Sequence, residues 1–360
     1  MKVTMFIGSL AGGGAERVFC SMANLLVQRG HEICIITNVE GEPSYELDGR
    51  VQRFVLLYNK ERKNKVLNFL HCMKRLKTYV KAHAEDRYVV FLPSTTIMLL
   101  AFRKYIRGGI VVSERCDPEK NADWAKWALK KWIRRADGVV FQTDTAKEWY
   151  LPYLRKAKPV VIPNAINPAF IRPVYEGERE KTIVGAGRLN GQKNFHLLIR
   201  AFARIAPKFP EHKLVIYGKG GLLDSLRSLA EELGVGERVE FPGYVSDMPE
   251  RLERASMFVL SSDFEGMPNA LMEAMASGLP CVSTDCGGGG ARFLIDDEKN
   301  GLLVPQKDEE AMAAAMERIL SDKALAASLG NEARQLQETL SPEKIYGEWE
   351  TVIQNTHKEG

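Results

Sequence analysis

The sequence predicts an α/β protein built from two doubly wound parallel sheets, each with its own core. The chain has 360 residues, which is more than one hydrophobic core comfortably organises, so two domains are expected. Short apolar, β-rich runs alternate with longer segments of helical periodicity, the pattern of strand–helix–strand units. Buried parallel strands have near-continuous apolar sequences. The same alternation occurs in both halves, which favours two similar sheets over one large sheet.

In the first half, six short apolar runs predict strands, and four longer periodic segments predict the helices between them. The strands are expected at Val3–Ile7, Ile33–Thr37, Val89–Leu92, Ile110–Val112, Val139–Phe141 and Val160–Ile162, and the helices at Ala15–Arg29, Val66–Ala82, Asp123–Arg135 and Thr145–Leu151.

The second half repeats this scheme with five strands and four helices. The strands are expected at Ile183–Ala186, Lys213–Tyr217, Val239–Phe241, Met257–Leu260 and Pro280–Ser283, and the helices at Phe195–Ala206, Leu222–Leu233, Met248–Ala255 and Asn269–Ser277.

A stretch rich in proline and asparagine, from Pro163 to Pro173, separates the two halves and has little periodicity. It predicts an N-terminal domain over residues 1–165 and a C-terminal domain over residues 170–340. The tail begins Ser341-Pro342-Glu343, like a capped helix, and we expect that helix over about residues 341–360.

The composition is that of an ordinary globular protein, with 45% apolar and 27% charged residues. No window approaches the roughly 20 uninterrupted apolar residues that a membrane-spanning helix needs. Met1-Lys2 leads directly into the first predicted strand, which does not resemble a signal peptide. The six cysteines have neither zinc-ligand spacing nor a dense disulfide pattern. We therefore expect a protein of the reducing cytoplasm; the cysteines are Cys20, Cys34, Cys72, Cys116, Cys281 and Cys286.

The net charge of +4 hides an asymmetry between the halves. Residues 1–170 hold 28 Lys and Arg against 16 Asp and Glu, a net of +12, and the remainder holds 22 against 30, a net of −8. The basic residues concentrate in segments 60–81, 103–107 and 126–135.

In the last of these segments, Trp124, Trp127 and Trp132 are interleaved with lysines and arginines. One interpretation is a solvated helix face whose aromatic side chains turn toward the core. The other is attraction to an anionic membrane surface that carries a lipid-linked acceptor, with the aromatic residues at headgroup level. Nucleic acid is a weaker candidate partner, because no base-reading module accompanies the charge.

The most informative segment begins at Glu265 and continues through Glu273 to Pro280. Pro268 suits the first turn of a helix, which places Glu265 in the loop before the helix and Glu273 about one turn inside it. The free N–H groups of the helix start would favour an anion between the two carboxylates. Such a set suits a nucleotide-sugar. The alternative is a surface helix whose acidic start merely stabilises the helix dipole.

Two other segments favour phosphate binding. Gly12-Gly13-Gly14 follows the first strand and opens a helix, which suits close approach of the backbone to a phosphate or sugar. It does not match the dinucleotide fingerprint, because Arg17 stands where that motif needs its last glycine; a tight turn is the alternative. Arg188 and Lys193 lie five residues apart across a turn, so both can reach one anion. A solvated loop is the alternative there.

In their order along the chain, these segments resemble the retaining family-4 glycosyltransferases of the GT-B fold. The resemblance covers the C-terminal half almost continuously and the N-terminal half at scattered points. The segments that carry it are Gly12–Arg17, Gly185–Leu189 with Gln192-Lys193-Asn194, Tyr217–Gly220, Phe241–Val245, Ser261–Glu273 and Asn300–Val304.

The resemblance implies two facing Rossmann-like domains with a cleft between them. The N-terminal domain, with the C-terminal helix packing back on it, would bind the acceptor, and the C-terminal domain would bind the nucleotide-sugar. It also implies that Arg188 and Lys193 hold the diphosphate, that Glu265 binds hydroxyls of the donor sugar, and that Glu273 binds the ribose. The remaining implied donor-binding residues are Gly13, Gly14, Gly187, Gly218, Tyr244, Val245, Gly266, Met267, Pro268, Asn269 and Ala270.

One position departs from the family pattern. Many relatives have a histidine after the strand at Ile110–Val112, whereas this chain reads Ser113-Glu114-Arg115-Cys116 there. Arg115 cannot be a general base at neutral pH, but it can hold phosphate or a developing negative charge. The alternative is an ordinary surface pairing of Arg115 with Glu114 or Asp117.

The implied activity is sugar transfer from a nucleoside-diphosphate-sugar to a glycan or polyisoprenoid-linked acceptor, with retention at the anomeric carbon, in bacterial surface polysaccharide synthesis. No Asp-x-Asp motif and no histidine–carboxylate cluster has metal spacing, so we expect neither a metal nor another cofactor. A catalytically degenerate nucleotide-sugar-binding regulator of the same fold is the first alternative. A two-lobed carbohydrate-binding protein is the second, and the short chain disfavours a phosphorylase.

Overall fold

A computed structural model describes residues 1–115, 117–155 and 157–356 of the chain. The chain divides into two compact units, Met1–Ala165 with Glu343 onward, and Ile166–Pro342. Cys116 and the last four residues of the expected C-terminal helix lie outside the described residues.

Within the described residues, the first unit is built on a seven-stranded parallel sheet in the order β3-β2-β1-β4-β5-β6-β7. The order reverses between β1 and β4, so the loops after these two strands diverge to opposite faces of the sheet. The strands are β1 Lys2–Ile7, β2 Glu32–Thr37, β3 Gln52–Val55, β4 Arg87–Phe91, β5 Ile110–Ser113, β6 Gly138–Phe141 and β7 Lys158–Val161; the helices are α1 Gly14–Gln28, α2 Lys65–Ala82, α3 Pro93–Leu100, α4 Asp123–Trp132 and α5 Asp144–Tyr150.

The described part of the second unit holds a six-stranded parallel sheet in the order β10-β9-β8-β11-β12-β13, which reverses between β8 and β11. Its strands are β8 Thr182–Ala186, β9 Lys213–Tyr217, β10 Val239–Gly243, β11 Met257–Leu260, β12 Cys281–Thr284 and β13 Leu302–Val304. Its helices are α6 Phe195–Ile205, α7 Leu223–Glu232, α8 Met248–Arg254, α9 Asn269–Ala276, α10 Gly290–Leu294, α11 Glu309–Ser321, α12 Lys323–Ala333 and α13 Leu336–Thr339; α14 Pro342–Asn355 follows and returns to the first unit.

Each sheet is buried from both sides, as its continuous apolar strands require. In the first unit, side chains from α2, α3, α4 and α5 share one hydrophobic cluster with the sheet. In the second unit, α6, α7, α11 and α12 contribute to the corresponding cluster. The amphipathic helix α6 shows the pattern well, because seven of its eleven residues are buried.

The predicted fold class is confirmed, and most predicted strands and helices occur within two residues of their expected bounds. Strand β3 was not predicted, because it reads Gln-Arg-Phe-Val and only its last residue is fully buried. Helix α3 was also missed, because its Ser-Thr-Thr-Ile stretch lacks helical periodicity. Pro268 directly precedes α9, one position earlier than the first-turn position expected for it.

Helix α14 packs within the first unit through a fully buried tryptophan and an ion-pair cluster. The ring of Trp349 lies 5.5 Å from that of Phe91. The Glu350 carboxylate accepts from Arg29 Nη1 at 2.7 Å, and its other oxygen lies 2.7 Å from His31 Nε2. These contacts join α14 to the end of α1 and the residues just after it.

Candidate functional site

The second sheet brings two predicted loops together at its switch point. Strands β8 and β11 are neighbours, and their carboxyl ends lead into the loops that carry Lys193 and Glu265. In open α/β sheets, ligands bind beyond the carboxyl ends of the strands at such a reversal. The position of these two residues therefore follows from the strand order.

Lys193 and Glu265 form an ion pair that the spacing of the sequence does not reveal. The Lys193 ammonium lies 2.6 Å from Glu265 Oε1, and Ser262 Oγ donates to the same oxygen at 2.8 Å. The two charged side chains are only 16% and 9% exposed. Partial removal from water strengthens the attraction, and the hydroxyl stabilises the carboxylate further.

Further hydrogen bonds tie the two loops together around this pair. The Asn194 amide donates to Asp263 Oδ1 at 3.0 Å, and the Gln192 amide donates to the Phe264 carbonyl at 2.9 Å. Asn194 has a left-handed backbone, with φ of 44°, and its side chain also caps α6. The loops after β8 and β11 are thus held as one unit, which fixes the positions of Lys193 and Glu265.

Gly218 belongs to this arrangement because no side chain fits at its position. It follows β9 with φ of 138°, and a Cβ atom there would lie 1.9 Å from the Gly187 carbonyl oxygen. Gly187 in turn lies under the Lys193 side chain, where a Cβ atom would approach Lys193 Cε to 2.7 Å. The two glycines predicted for donor binding therefore let the loops after β8 and β9 pack closely.

The two carboxylates of the Glu265–Glu273 segment are both buried. Glu265 lies in the loop before α9, and Glu273 is the fifth residue of that helix. Six of the eight residues of α9 are buried, so the interpretation as an acidic surface helix is wrong. A buried carboxylate needs a local partner or a ligand. Lys193 and Ser262 are such partners of Glu265.

The glycine-rich run after β12 packs against this loop. The Glu265 N–H donates to the Gly287 carbonyl at 2.8 Å. A Cβ atom at Gly290 would lie 1.8 Å from the Gly266 carbonyl oxygen and 2.7 Å from Pro268 Cδ. The loop that contains Gly266, Met267 and Pro268 therefore rests directly on the start of α10, which explains the abundance of glycine here.

The other predicted site residues of this unit lie around the same edge of the sheet, but they differ in how far their side chains are buried. Arg188 is exposed in the loop after β8, and Tyr244, 78% exposed, follows β10 with Val245 half-buried beside it. Asn269 and Ala270 are the first two residues of α9. The structure joins Lys193 to Glu265 and leaves the Arg188 and Tyr244 side chains facing solvent.

Cys286 lies near the Glu265 carboxylate but is not suited to be a nucleophile. Burial and, second to it, the nearby negative charge of Glu265 raise the pKa of its thiol to about 12. The thiol is therefore protonated at neutral pH, and a protonated thiol is a poor nucleophile.

In the first unit, the predicted glycine loop also lies at the switch point. Gly13 immediately precedes α1 and Gly14 is its first residue, just beyond the carboxyl end of β1. A Cβ atom at Gly13 would lie 2.2 Å from Glu16 Oε2, so this glycine also admits the carboxylate of its own helix.

Arg115 is buried, so its interpretation as an ordinary surface residue is wrong. It follows β5, and its guanidinium donates to Asn164 Oδ1 and to Ser113 Oγ, the latter at 3.4 Å. The guanidinium carbon lies 4.7 Å from the centre of the Phe91 ring, a cation–π distance. The backbone N–H of Arg115 donates to Glu114 Oε1 at 3.0 Å.

Sequence reasoning gave no role to Ser262 or Asn164, although each contacts a predicted site residue. Ser262 belongs to a quoted family segment, and its place next to Asp263 and Glu265 was the available signal. Asn164 lies in the stretch interpreted only as an interdomain junction, so no signal in the sequence indicated its contact with Arg115.

The remaining predictions concern a metal, cysteines and aromatic side chains. Among the described residues, no group of three histidine, cysteine or acidic side chains is arranged to hold a metal ion. The described cysteines are free thiols. No helix in the described part of the chain is both long and apolar enough to cross a membrane. Trp124 and Trp127 are 61% and 65% exposed, so the interpretation in which the aromatic residues of α4 turn to the core is wrong for both.

Comparison with known proteins gives two family matches that together extend over most of the chain. Residues 12–170 match the family described as Glycosyltransferase Family 4, and residues 168–336 match Glycosyl transferases group 1.

Full-length relatives and solved structures agree with these matches. The chain is 28% identical to a Campylobacter jejuni α-1,4-N-acetyl-D-galactosaminyltransferase named for a diphospho-undecaprenol-linked substrate, over 98% of each protein. It is 27% identical to the lipopolysaccharide core biosynthesis glycosyltransferase LpsE of Rhizobium meliloti, over 93% of each. The crystal structure of Anabaena HepE in complex with UDP is similar with a TM-score of 0.81 at 17% identity, covering 99% of this chain and 100% of that one.

Proposed function

The chain belongs to the glycosyltransferases of the GT-B fold, and from this premise we propose that it is a retaining, metal-independent enzyme. Its donor would be a nucleoside-diphosphate-sugar, and its acceptor a glycan or polyisoprenoid-linked sugar of bacterial surface polysaccharide synthesis. The relatives named for a diphospho-undecaprenol-linked substrate and for the lipopolysaccharide core support this class of acceptor. The observation that carries the proposal is the Lys193–Glu265 pair at the switch point of the second sheet.

In this proposal the donor enters with its diphosphate near Lys193 and Arg188. As the nucleoside diphosphate leaves, negative charge grows on the β-phosphate, and the two cations stabilise it. Arg188 is exposed and has a planar fork of donors, which suits it to close on a phosphate that arrives from solvent. The start of α9 at Asn269 and Ala270 adds the positive end of a helix dipole. These groups would take the place of a metal ion.

The two carboxylates have different proposed roles. Glu265 would bind hydroxyls of the donor sugar, because it is already oriented by Lys193 and Ser262. Glu273 would bind the ribose from inside α9. Backbone around Gly218, Tyr244 and Val245 would contact the base.

The proposed reaction retains the anomeric configuration through attack on the same face from which the diphosphate departs. The leaving phosphate would accept the proton of the acceptor hydroxyl. Retaining glycosidases instead place two carboxylates on opposite sides of the sugar and form a covalent intermediate. Here Glu273 is assigned to the ribose and Lys193 is bound to Glu265, so neither carboxylate is assigned as a nucleophile.

The activity is tested by incubating the purified protein with nucleotide-sugars and a soluble acceptor glycan and determining the product's anomeric configuration by NMR. We expect retention, and turnover that chelation with EDTA does not change. Lys193→Ala should lower kcat by about 100- to 1,000-fold, the usual effect of removing one group that stabilises transition-state charge. Lys208→Ala, at an exposed ion pair of the same unit, is the matched control and should keep full activity. An inverted product, or a glycosylated enzyme trapped by mass spectrometry, would contradict the mechanism.

The same experiment separates the second candidate, a degenerate nucleotide-sugar-binding regulator. A regulator would bind the donor but would neither transfer nor hydrolyse it. Arg188, Lys193, Glu265 and Glu273 are all present, and the enzyme is therefore favoured.

The proposal also includes contact between the first unit and an anionic membrane surface, at the cytoplasmic face, where a lipid-linked acceptor would lie. Its support is the net charge of +12 in residues 1–170 and the exposure of Trp124 and Trp127.

A further inference from the structure

The start of α2 exposes a strip of large apolar side chains. Val66, Leu67, Phe69 and Leu70 are 68%, 47%, 53% and 56% exposed, and they fall within five consecutive residues. Single exposed apolar residues are common, but a contiguous group of this size marks a surface that contacts another apolar phase. We call these four residues the α2 strip.

The core of the first unit does not account for the α2 strip. The buried residues of α2 are Cys72, Leu76, Tyr79 and Val80, which recur at helical spacing and begin only in the third turn. The first two turns extend past the core, yet they are well formed, because the Asn64 side chain caps the helix by accepting the Leu67 N–H at 2.9 Å. The α2 strip is therefore a rigid apolar surface that packing does not require.

The surface around the α2 strip is strongly basic. Residues 60–81 contain eight lysines and arginines and one carboxylate, Glu61, which accepts from Arg75 at 3.3 Å. Lys60, Arg62, Lys63 and Lys65 are exposed, and none of them forms an ion pair with a carboxylate in the described parts of the chain. Apolar side chains bordered by such cations match the interface of an anionic bilayer, where acyl chains lie beneath phosphate groups.

A pocket of about 410 Å³ opens beside the α2 strip and has the same two-part chemistry. Phe69, Cys72, Leu57 and Met98 form its apolar walls, and Arg62 and Lys65 stand among its lining residues. No described acidic residue lines it. Such a pocket suits a hydrocarbon chain that carries a phosphate at one end.

The exposed aromatic residues of α4 are less suited to the same role. The groove beside Trp127 is lined by Glu119 and Asp123 as well as Lys126 and Lys130, and the two carboxylates would repel lipid phosphates. The Lys126 ammonium is already 2.7 Å from the Asp123 carboxylate. The charge around α4 is therefore partly neutralised, whereas Arg62, Lys63 and Lys65 beside the α2 strip form no ion pair in the described part of the chain.

We propose that the start of α2 is the membrane-docking site of this protein, with an anionic phospholipid bilayer as its partner. The α2 strip enters the acyl region, Arg62 and Lys65 bind lipid phosphates, and one lipid chain enters the pocket between Phe69 and Met98. Because α2 leads from β3 to the amino end of β4, its start lies toward the carboxyl edge of the first sheet. Docking there brings the substrate-binding edge of the first unit to the lipid surface. This inference deepens the proposed membrane contact and rests on it.

The test is flotation of the full chain with vesicles of phosphatidylcholine alone or mixed with phosphatidylglycerol. The first variant, Phe69→Ser/Leu70→Ser, removes apolar surface, and the second, Arg62→Gln/Lys65→Gln, removes charge. Val174→Ser and Lys208→Gln/Lys213→Gln are the matched controls, at exposed positions of the second unit. All of these positions are exposed, and folding is checked by the cooperative thermal transition of each variant.

We expect the wild type to bind the anionic vesicles at least about tenfold more strongly than the neutral ones, and high salt to weaken that binding. Each of the two α2 variants should lose about tenfold in binding to anionic vesicles, and the controls should not change. Equal binding to both vesicles, or full binding by either α2 variant, would overturn the proposal. So would binding of farnesyl diphosphate by a protein that binds neither kind of vesicle, because the pocket would then serve an isoprenoid diphosphate.

Stabilisation by the nucleotide-sugar distinguishes failure of the docking proposal from failure of the proposed function. The α2 variants should keep whatever donor stabilisation the wild type shows, because the α2 strip is remote in sequence and lies in the other unit. Loss of vesicle binding with donor stabilisation retained supports the docking site. Loss of both in an α2 variant would contradict the proposed separation of docking and donor binding.

Discussion

At the scale of single residues, the ion pair joins two side chains with different proposed tasks. Lys193 would bind the donor's diphosphate, and Glu265 would bind its sugar. An ammonium 2.6 Å from a largely buried carboxylate is positioned before any ligand arrives, which lowers the cost of organising the site. A diphosphate that approached Lys193 would compete with Glu265 for the positive charge of the ammonium. The carboxylate would then be free to turn an oxygen toward a sugar hydroxyl.

This pairing makes a prediction for stability. Lys193→Met leaves the Glu265 carboxylate with Ser262 as its remaining described partner, and we expect a loss of about 2 kcal/mol in the free energy of unfolding. In the double variant with Glu265→Gln, the charge that needs compensation is gone, so the two effects should be non-additive by about 1 kcal/mol. Urea unfolding measures both. Lys208→Met, at an exposed pair, should cost less than about 0.5 kcal/mol. Strict additivity would show that the pair contributes nothing to the folded state.

Arg115 yields a second prediction at this scale. Arg115→Met removes a buried guanidinium from Asn164 and Ser113, which should cost about 2 kcal/mol of stability, since hydrogen bonds from a charged group are among the stronger ones. If Arg115 also holds developing negative charge, Arg115→Met should lower kcat. Asn164→Ala, which removes only a partner of Arg115, should change kcat much less. Unfolding and turnover measured together decide the matter. Turnover unchanged in a destabilised Arg115→Met would leave this arginine a structural role only.

The sequence predicted the important residue types but not their partners. Lys193, Glu265 and Glu273 were identified from motifs, and the structure brings the first two together. Their contact could not be predicted from spacing, because they are 72 residues apart and meet only through the neighbouring strands β8 and β11. The assigned roles of these residues in binding the donor stay predictions.

At the scale of secondary-structure elements, the loop before α9 is held by the start of α10. Residues 286–292 are unusually rich in glycine, and the sequence alone gives no reason for this, since the contact is with a loop more than twenty residues away. In the structure Gly290 touches the Gly266 carbonyl, and Gly288 and Gly289 have φ of 90° and 77°. The strands were predicted well because buried parallel strands have continuous apolar sequences; β3 was missed because it is a partly exposed edge strand.

Gly290→Ala tests this contact. The added methyl group must displace the Gly266 carbonyl, so the loop that carries Glu265 should shift, and kcat/KM should fall by about tenfold to a hundredfold. Steady-state kinetics with the identified donor measures the effect. Gly221→Ala is the control, because a Cβ atom there meets nothing within 4 Å and the backbone does not require glycine. If both variants kept wild-type kinetics, the packing of α10 would be irrelevant to the site.

Helix α14 gives a pH-dependent prediction. His31 and Arg29 hold the pKa of the Glu350 carboxyl below its usual value of 4.5. A carboxyl whose pKa is lowered in the folded state stabilises that state fully above its unfolded pKa, and the stabilisation disappears as the pH falls through the lowered value. Glu350→Gln should therefore cost about 1 kcal/mol near neutral pH and progressively less below pH 4.5.

Urea unfolding of the wild type and the Glu350→Gln variant, near neutral pH and below pH 4.5, provides the measurement. Glu348→Gln on the same helix is the control and should show no such trend. A constant difference between wild type and Glu350→Gln at all pH values would mean that the ionised carboxylate does not hold α14.

At the scale of the whole molecule, two parallel sheets repeat one plan, and each reverses its strand order once. The sequence made this predictable because strand and helix patterns alternate in both halves and a proline-rich stretch separates them. It could not show that the α2 strip and two tryptophans of α4 face solvent, because apolar residues at helical spacing usually indicate a core. Those exposed surfaces, together with the basic charge of the first unit, direct the account toward lipid-linked acceptors.

The central claim is that the second unit binds a nucleotide-sugar through Lys193, Arg188 and Glu273. The most direct test is a titration of the purified protein with a panel of nucleotide-sugars while its thermal unfolding is followed. A donor present at 100 times its dissociation constant should add about 2.7 kcal/mol of stability. We predict this stabilisation with one donor in the wild type, and its loss in both Glu273→Ala and Arg188→Ala/Lys193→Ala. No stabilisation of folded wild-type protein by any donor, or full stabilisation of either variant, would contradict the account.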